Sequence, residues 1–379
     1  MEQHDALWFV HVGHQFLTAS DSSDVIRPEL GWQSRVGYDG QYYFGVAADP
    51  AHARDYMPGR AGIVYSRILY PALARALSLG SIRALPYVLL IVNVLAAVVG
   101  TLAVALWLRR HGAPVWPAAL FGLYPGLIFT VLRDLTEPLA FALTALAMLA
   151  YENRSTRRLV LSATLFALAA LTRETVLPFG LACAATLALI DVRRAGWRQP
   201  QAWRRASLFA AGVIVPLLVW RGLVTAYVHE PTQETGGRGW AVPFYGILSY
   251  WHWNAQHRLI VLTIVLPALA AAAGALVLLR RRVVPVIAML LLLNVLLYVV
   301  FLPRSVYVDY GAAGRAGVGV VLAALYCVPA WWGRTEPARG RATVVRRSLV
   351  VGGAFAWSLA WYLLVASHYG LPGMLLITT

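Results

Sequence analysis

The sequence predicts an all-α polytopic membrane protein of about ten transmembrane helices, preceded by an extracytoplasmic first loop and an interfacial helix. Three observations lead there. Of the 379 residues, 59% are hydrophobic and only 13% charged, whereas a soluble domain carries about a quarter charged residues. Apolar blocks such as Tyr87–Leu108 and Val283–Leu302 approach the roughly 20 residues that cross a hydrocarbon core. The basic residues, all arginine, collect in short loops between such blocks and not on an amphipathic face.

Taken in order, residues 1–83 form an extracytoplasmic N-terminal region and 84–379 a transmembrane domain. Residues 1–20 hold only a short apolar stretch, interrupted by His11, His14 and Gln15. That is neither a cleavable signal peptide nor a spanning helix, so the chain is expected to begin outside the membrane core or to lack a first helix. A polar region, 18–60, leads to the amphipathic stretch Gly62–Leu79, expected to lie along the interface. Apolar blocks read against breakers then give helices at 84–108, 113–132, 136–151, 157–172, 174–191, 206–228, 258–280, 283–302, 313–333 and 347–367.

Alternate loops carry roughly three times as many arginines as those between them. Under the positive-inside rule the Arg-rich loops are cytoplasmic. Region 18–60 and the C-terminus are then outside, with most acidic residues on or near that face. The expected setting is a bacterial inner (plasma) membrane, with the reactive groups facing the extracytoplasmic side. The formal charge of +15 does not point to nucleic acid, because a groove-reading module needs a continuous basic surface. Cys183 and Cys327 lie in apolar segments and read as small hydrophobes. No repeat, Walker loop or Gly-rich dinucleotide turn is found, so nucleotide-driven energy coupling has no support.

The most informative stretch is Gly37-Tyr38-Asp39-Gly40-Gln41-Tyr42-Tyr43-Phe44. Aromatic faces there suit pyranose rings, Gly40 allows close backbone approach, and Asp39 can accept a hydroxyl proton. Equally, Asp39 can close an Asx-type turn, with Tyr42 and Tyr43 as interfacial anchors. Arg133, Asp134 and Glu137 sit at the outer start of helix 136–151, which Thr136 is placed to cap. The helix dipole accounts for Glu137 there but disfavours Arg133. Arg173 and Glu174 join two short predicted helices, of about 24 and 27 Å at 1.5 Å per residue. Their turn is expected to be recessed, where an ionisable residue suggests function by default. The plainer reading is a self-neutralising Arg173–Glu174 pair. Arg67 faces phosphate or lipid headgroups; Arg304, Asp309 and Arg315 share the last internal outer loop; Arg221 snorkels or pairs. Loop 229–257, with Trp240, Tyr245, Tyr250, Trp251 and Trp253, reads as an acceptor lid or an aromatic belt. His229, His252 and His257 are too scattered to argue for a metal.

The segment Gly37–Phe44, followed by Ala47-Ala48-Asp49-Pro50, resembles the first outer loop of bacterial GT-C-type glycosyltransferases. More narrowly, it is similar to a group of membrane proteins associated with cell-surface glycopolymer formation. Ser66-Arg67-Ile68-Leu69-Tyr70-Pro71, Asn93, Gly122-Leu123-Tyr124-Pro125-Gly126, Arg133-Asp134-Leu135-Thr136-Glu137-Pro138 and Leu171-Thr172-Arg173-Glu174-Thr175 extend the likeness in order over residues 8–180, about half the chain. The resemblance implies a GT-C-like fold, a polyprenyl-phosphate-linked sugar donor, a glycan or lipid acceptor, and Asp39 as catalytic base of an inverting transfer. It departs from the family in the helix normally found just before this loop.

The expected activity is therefore hexosyl or pentosyl transfer on the extracytoplasmic side. Tyr38, Gln41, Tyr42, Arg67, Arg133, Asp134, Glu137, Arg173, Glu174, Arg304 and Arg315 are the candidate substrate contacts, with Arg173 on the lipid-linked phosphate. No cofactor is expected; a divalent metal has no dedicated ligand set. The rivals are a lipid-linked glycan transporter or flippase, which should show inverted repeats or broken helices in matching positions, and a non-catalytic component of envelope-polymer assembly.

Overall fold

The structure, a computed structural model, describes residues 6–19, 25–26, 34–232, 242–249, 255–308 and 310–332. Among them no strand forms, and the only strand-like feature is a lone bridge between Gly13 and Ser34. Short helices α1 (Leu7–Val10) and α2 (His14–Ala19) lead to α3 (Gly40–Ala48). The expected interfacial stretch Gly62–Leu79 is two helices, α4 (Ala61–Ser66) and α5 (Leu69–Leu77). They part at Arg67, whose side chain turns inward.

The remainder is α6 (Leu85–Arg110), α7 (Ala119–Gly122), α8 (Pro125–Val131), α9 (Glu137–Glu152), α10 (Thr156–Thr172), α11 (Leu177–Ala195), α12 (Gln201–Val228), α13 (Tyr245–Leu248), α14 (Ala255–Ile260), α15 (Leu266–Arg280), α16 (Pro285–Val295), α17 (Tyr310–Ala316) and α18 (Val318–Trp332). Five continuous stretches among the described residues are long and apolar enough to cross a membrane: Leu85–Arg110, Glu174–Ala195, Gln201–Val228, His257–Arg280 and Tyr310–Trp332. Over the described residues the chain is all-helical, with the apolar spans of a membrane protein.

Other predicted spans are shorter or broken. Helices α9 and α10 have 16 and 17 residues, about 24–26 Å at the usual rise. Predicted helix 113–132 is interrupted before Pro125: the proline disfavours helical backbone at the preceding residue, and Tyr124 is extended at φ −64°, ψ 121°. Predicted helix 283–302 runs from Pro285 to Val300, after Val284 in a left-handed conformation. Predicted helix 347–367 lies outside the described residues.

Helix α6 shows why these segments belong in lipid. Tyr87, Ile91, Val94, Val98 and Leu102 recur every three or four residues and all face outward, while Leu89, Asn93, Ala96, Gly100 and Val104 face the bundle. In water such a stripe would be an aggregation surface; in a bilayer it meets acyl chains. Gly100 lets α9 approach, since a methyl group there would crowd the Phe121 ring and the Cα of Ala142. Helix α9 packs between α6 and α10, and α12 packs on α10 and α11.

The bundle has two chemically different ends. At one, Arg110 Nη1 donates to Glu152 at 2.9 Å, and Arg205 reaches Asp191 at 3.3 Å and the Arg154 carbonyl at 3.4 Å. The Arg-rich loops 109–110, 154–158 and 193–205 thus share that end. The helices α3 to α5 and the turn at Arg173 lie at the other. On the positive-inside expectation, a cysteine replacing Ser155 should be blocked only by membrane-permeant thiol reagents. One replacing the exposed His52 should be blocked by impermeant reagents too. Labelling of the Ser155 position from outside intact cells would invert the orientation.

Candidate functional site

Asp39 stands at the N-cap position of α3, yet its side chain makes no capping hydrogen bond. The turn-closing reading is therefore not the geometry observed. The carboxylate instead accepts a 2.8 Å hydrogen bond from Arg315 Nη1, with Arg60 Nη1 3.9 Å from its other oxygen. Burial pushes the Asp39 pKa up, but the charge and hydrogen bond of Arg315, with Arg60 and Arg67 behind them, outweigh it and hold the carboxyl below its ordinary range. At 28% side-chain exposure it remains reachable.

Arg315 arrives from the far end of the sequence because α17 packs directly on α8. The backbones touch at Gly126 and Gly314, where an added methyl group on Gly126 would collide with the Gly314 carbonyl. The Arg315 guanidinium then lies 5.5 Å from the centre of the Tyr38 ring, which meets Phe129 edge-on.

Glu137, in the first turn of α9 beside Pro138, is fully buried. Its Oε1 is 3.0 Å from Arg173 Nη1 and 3.9 Å from Arg315 Nε. The first is not a hydrogen bond and the second is too long for one, so among the described residues both carboxylate oxygens retain accepting capacity. Thr136, expected as the helix cap, makes no capping bond and accepts from Arg173 at 3.4 Å. Arg173 is in extended backbone at φ −162°, ψ 124°, which turns its side chain away from that of its neighbour.

That neighbour corrects the sequence expectation. Glu174 receives two hydrogen bonds from Arg67, at 2.7 and 3.2 Å, and lies 3.7 Å from Arg221. The self-neutralising Arg173–Glu174 pair does not form; each residue pairs across the fold. The turn is also less recessed than expected on one side, because the helix from Glu174 runs 22 residues to Ala195. Arg67 is buried, not at lipid headgroups. Burial disfavours its charge, but Glu174 and the Tyr43 hydroxyl (3.2 Å from Arg67 Nη1) more than compensate and hold its pKa well above normal.

Most other candidates are placed elsewhere, Tyr42, which faces Asp39, being the exception. Arg133 is buried with Nη1 3.1 Å from His11 Nδ1, close to the Trp8 and Phe129 rings. Burial and Arg133 lower the His11 pKa to about 4, so its ring is neutral near pH 7 and accepts from the guanidinium. Asp134 is fully buried in a left-handed backbone, and among the described residues neither carboxyl oxygen has a hydrogen-bond partner; burial raises its pKa well above normal. Gln41 is turned inward: it accepts from Gly13 N at 2.9 Å and donates to Val36 O at 3.1 Å. Tyr42 is half-buried against Phe16. Arg304 is exposed on the short turn Arg304–Tyr307. Asp309, Trp240, Tyr250, Trp251, Trp253 and His252 lie outside the described residues. Among those described, no group of three or more His, Cys, Asp or Glu side chains is placed to hold a metal ion.

Several partners were not singled out by the sequence. Arg60 gave no signal beyond its charge. Tyr43 and Tyr70 read as interfacial or motif aromatics, yet they continue the polar network inward: Tyr70 meets Tyr43 edge-on and takes a 2.8 Å hydrogen bond from Asn93. Among the described residues, Arg60, Arg67, Arg173, Arg221 and Arg315 face Asp39, Glu137 and Glu174. Five guanidiniums against three carboxylates leave two positive charges in surplus. Such an arrangement attracts an anion, and guanidinium geometry favours phosphate. No protein-family model, curated protein or solved structure matches this chain.

Proposed function

We propose that this protein is a membrane glycosyltransferase of GT-C-like architecture, transferring a sugar from a polyprenyl-phosphate donor to a cell-envelope glycan or lipid. The observation that carries the reading is a reachable carboxylate, Asp39, held in a partly buried arginine cluster with surplus positive charge, at the bundle end away from the Arg-rich loops. Placed by the positive-inside rule, that end faces the extracytoplasmic side of a bacterial inner membrane.

In this mechanism the donor phosphate docks among Arg173, Arg315 and their neighbours. Asp39 takes the proton of the acceptor hydroxyl, whose oxygen attacks the anomeric carbon from the face opposite the phosphate. The bond from that carbon to the phosphate oxygen breaks, its electron pair leaves with the phosphate, and the anomeric configuration inverts. The arginines stabilise the phosphate charge as it grows, which lowers the barrier more than it strengthens ground-state binding.

The direct test incubates the purified chain with radiolabelled hexosyl and pentosyl polyprenyl phosphates and an envelope fraction. Label should move to the acceptor, and failure with every donor would count against the reading. Within that assay, Arg173→Ala should weaken donor binding at least tenfold, the loss of one charge-assisted contact of about 1.5–3 kcal/mol. Arg173→Lys should keep part of it, since a point charge still binds phosphate. Equal loss in both variants, with folding intact, would assign Arg173 to positioning Glu137 rather than to the donor.

A further inference from the structure

A carboxylate bound to a guanidinium is a poor base, because the cation stabilises its ionised form. Asp39 is bound in this way, and on the proposed reaction it must accept a proton. The geometry offers a release. Arg315 touches Asp39 through a single nitrogen, Nη1 to Oδ2, while its Nε already faces Glu137 Oε1 at 3.9 Å. The guanidinium thus stands between two carboxylates and keeps a counter-charge if it leaves the first. Its side chain is 18% exposed, so an incoming anion can reach it. The backbone beneath it is pinned, since Gly311 lies against the Phe129 ring and Gly314 against Gly126. A change at this contact is therefore a swing of the side chain, not a shift of the helix.

We propose that Arg315 is a donor-operated latch: it holds Asp39 until the donor phosphate draws it away, leaving Asp39 to take the acceptor's proton. This rests on the glycosyltransferase reading and adds an order of events to it. Phosphate is the stronger competitor because it offers more oxygens to the guanidinium fork than the one that Asp39 supplies. Once Arg315 has moved, the charged groups facing Asp39 are Arg60, from the start of α4, and Arg67, from the break before α5; Tyr42 faces it from its own helix. Arg60 is half-exposed at 3.9 Å and Arg67 remains paired with Glu174. Neither replaces the direct hydrogen bond. Activation of the acceptor is thereby confined to complexes that already hold donor.

The test uses the reaction of a water-soluble carbodiimide with protonated carboxyl groups, read at Asp39 by peptide mass spectrometry on the full chain in detergent near pH 6. A long-chain polyprenyl monophosphate should speed labelling of Asp39 about tenfold, the equivalent of one pKa unit. A neutral polyprenol should leave it unchanged. Arg315→Gln should label fast without lipid and respond little to it. Arg315→Lys, which keeps the cation should the Gln variant fail to fold, should label slowly and respond as the wild type does. Lipid that binds, by native mass spectrometry, yet leaves Asp39 labelling unchanged or slower overturns the latch alone. Absence of any lipid-phosphate binding overturns the latch and the donor site together.

Discussion

Asp39→Asn is expected to lower transfer from a polyprenyl-phosphate donor by at least about a hundredfold, the lower end for loss of a general base, while expression and thermal stability stay near wild type. The substitution keeps an oxygen to accept the Arg315 hydrogen bond at 2.8 Å, so α17 remains docked, but the amide cannot take a proton. The amide keeps that hydrogen bond and the lost charge is partly solvent-screened at 28% and 18% exposure, so folding should change little. The pH dependence has a definite sign. The folded-state pKa of Asp39 is depressed, so the stability from this pair is fully present above the unfolded value and is lost as pH falls through the folded one. The readouts are the transfer rate and the melting temperature of the same preparation. Near-normal transfer by the Asn variant would leave Asp39 as an anchor for Arg315 and remove the base from the mechanism.

The sequence showed the membrane class plainly, because twenty-odd apolar residues have few other physical uses. Helix α6 was legible from its apolar run, with Pro86 at its start and Arg109 and Arg110 at its end. The interruption before Pro125 was legible in principle, since a proline restrains the residue ahead of it; an uninterrupted apolar composition hid it. The break at Arg67 was not legible, because the amphipathic pattern of Gly62–Leu79 continues across it. At the site, residue chemistry pointed to Asp39, Glu137, Arg173, Glu174 and Arg315 but not to their pairing. Asp39 and Arg315 are 276 positions apart, and the packing of α17 on α8 brings them together. Arg173 and Glu174 misled in the opposite direction: neighbours in sequence, they are directed apart by an extended backbone and pair with different parts of the fold, Glu137 of α9 and Arg67 between α4 and α5.

Glu137→Ala is expected to destabilise the protein by about 3–5 kcal/mol, the usual result of removing one partner from a buried ion pair. Glu137 has no exposed surface, and its carboxylate lies 3.0 Å from Arg173, whose side chain is 13% exposed, and 3.9 Å from Arg315. Removing it leaves Arg173 with the Thr136 hydroxyl as its nearest acceptor in that direction and returns Arg315 wholly to Asp39. The double variant Glu137→Ala/Arg173→Ala removes the stranded charge along with its partner. It should therefore be more stable than Glu137→Ala alone, with a coupling between the two positions of at least about 1 kcal/mol. Melting in detergent of the wild type, both single variants and the double variant measures that coupling. Stability within about 0.5 kcal/mol of wild type for Glu137→Ala, the range of an ordinary surface substitution, would mean that the pair does not organise the fold. A fully additive double variant would show that Arg173 and Glu137 act separately. The expected coupling would place Glu137 as the carboxylate that holds Arg173 and Arg315 in one frame, with its unfilled accepting capacity facing the site they share.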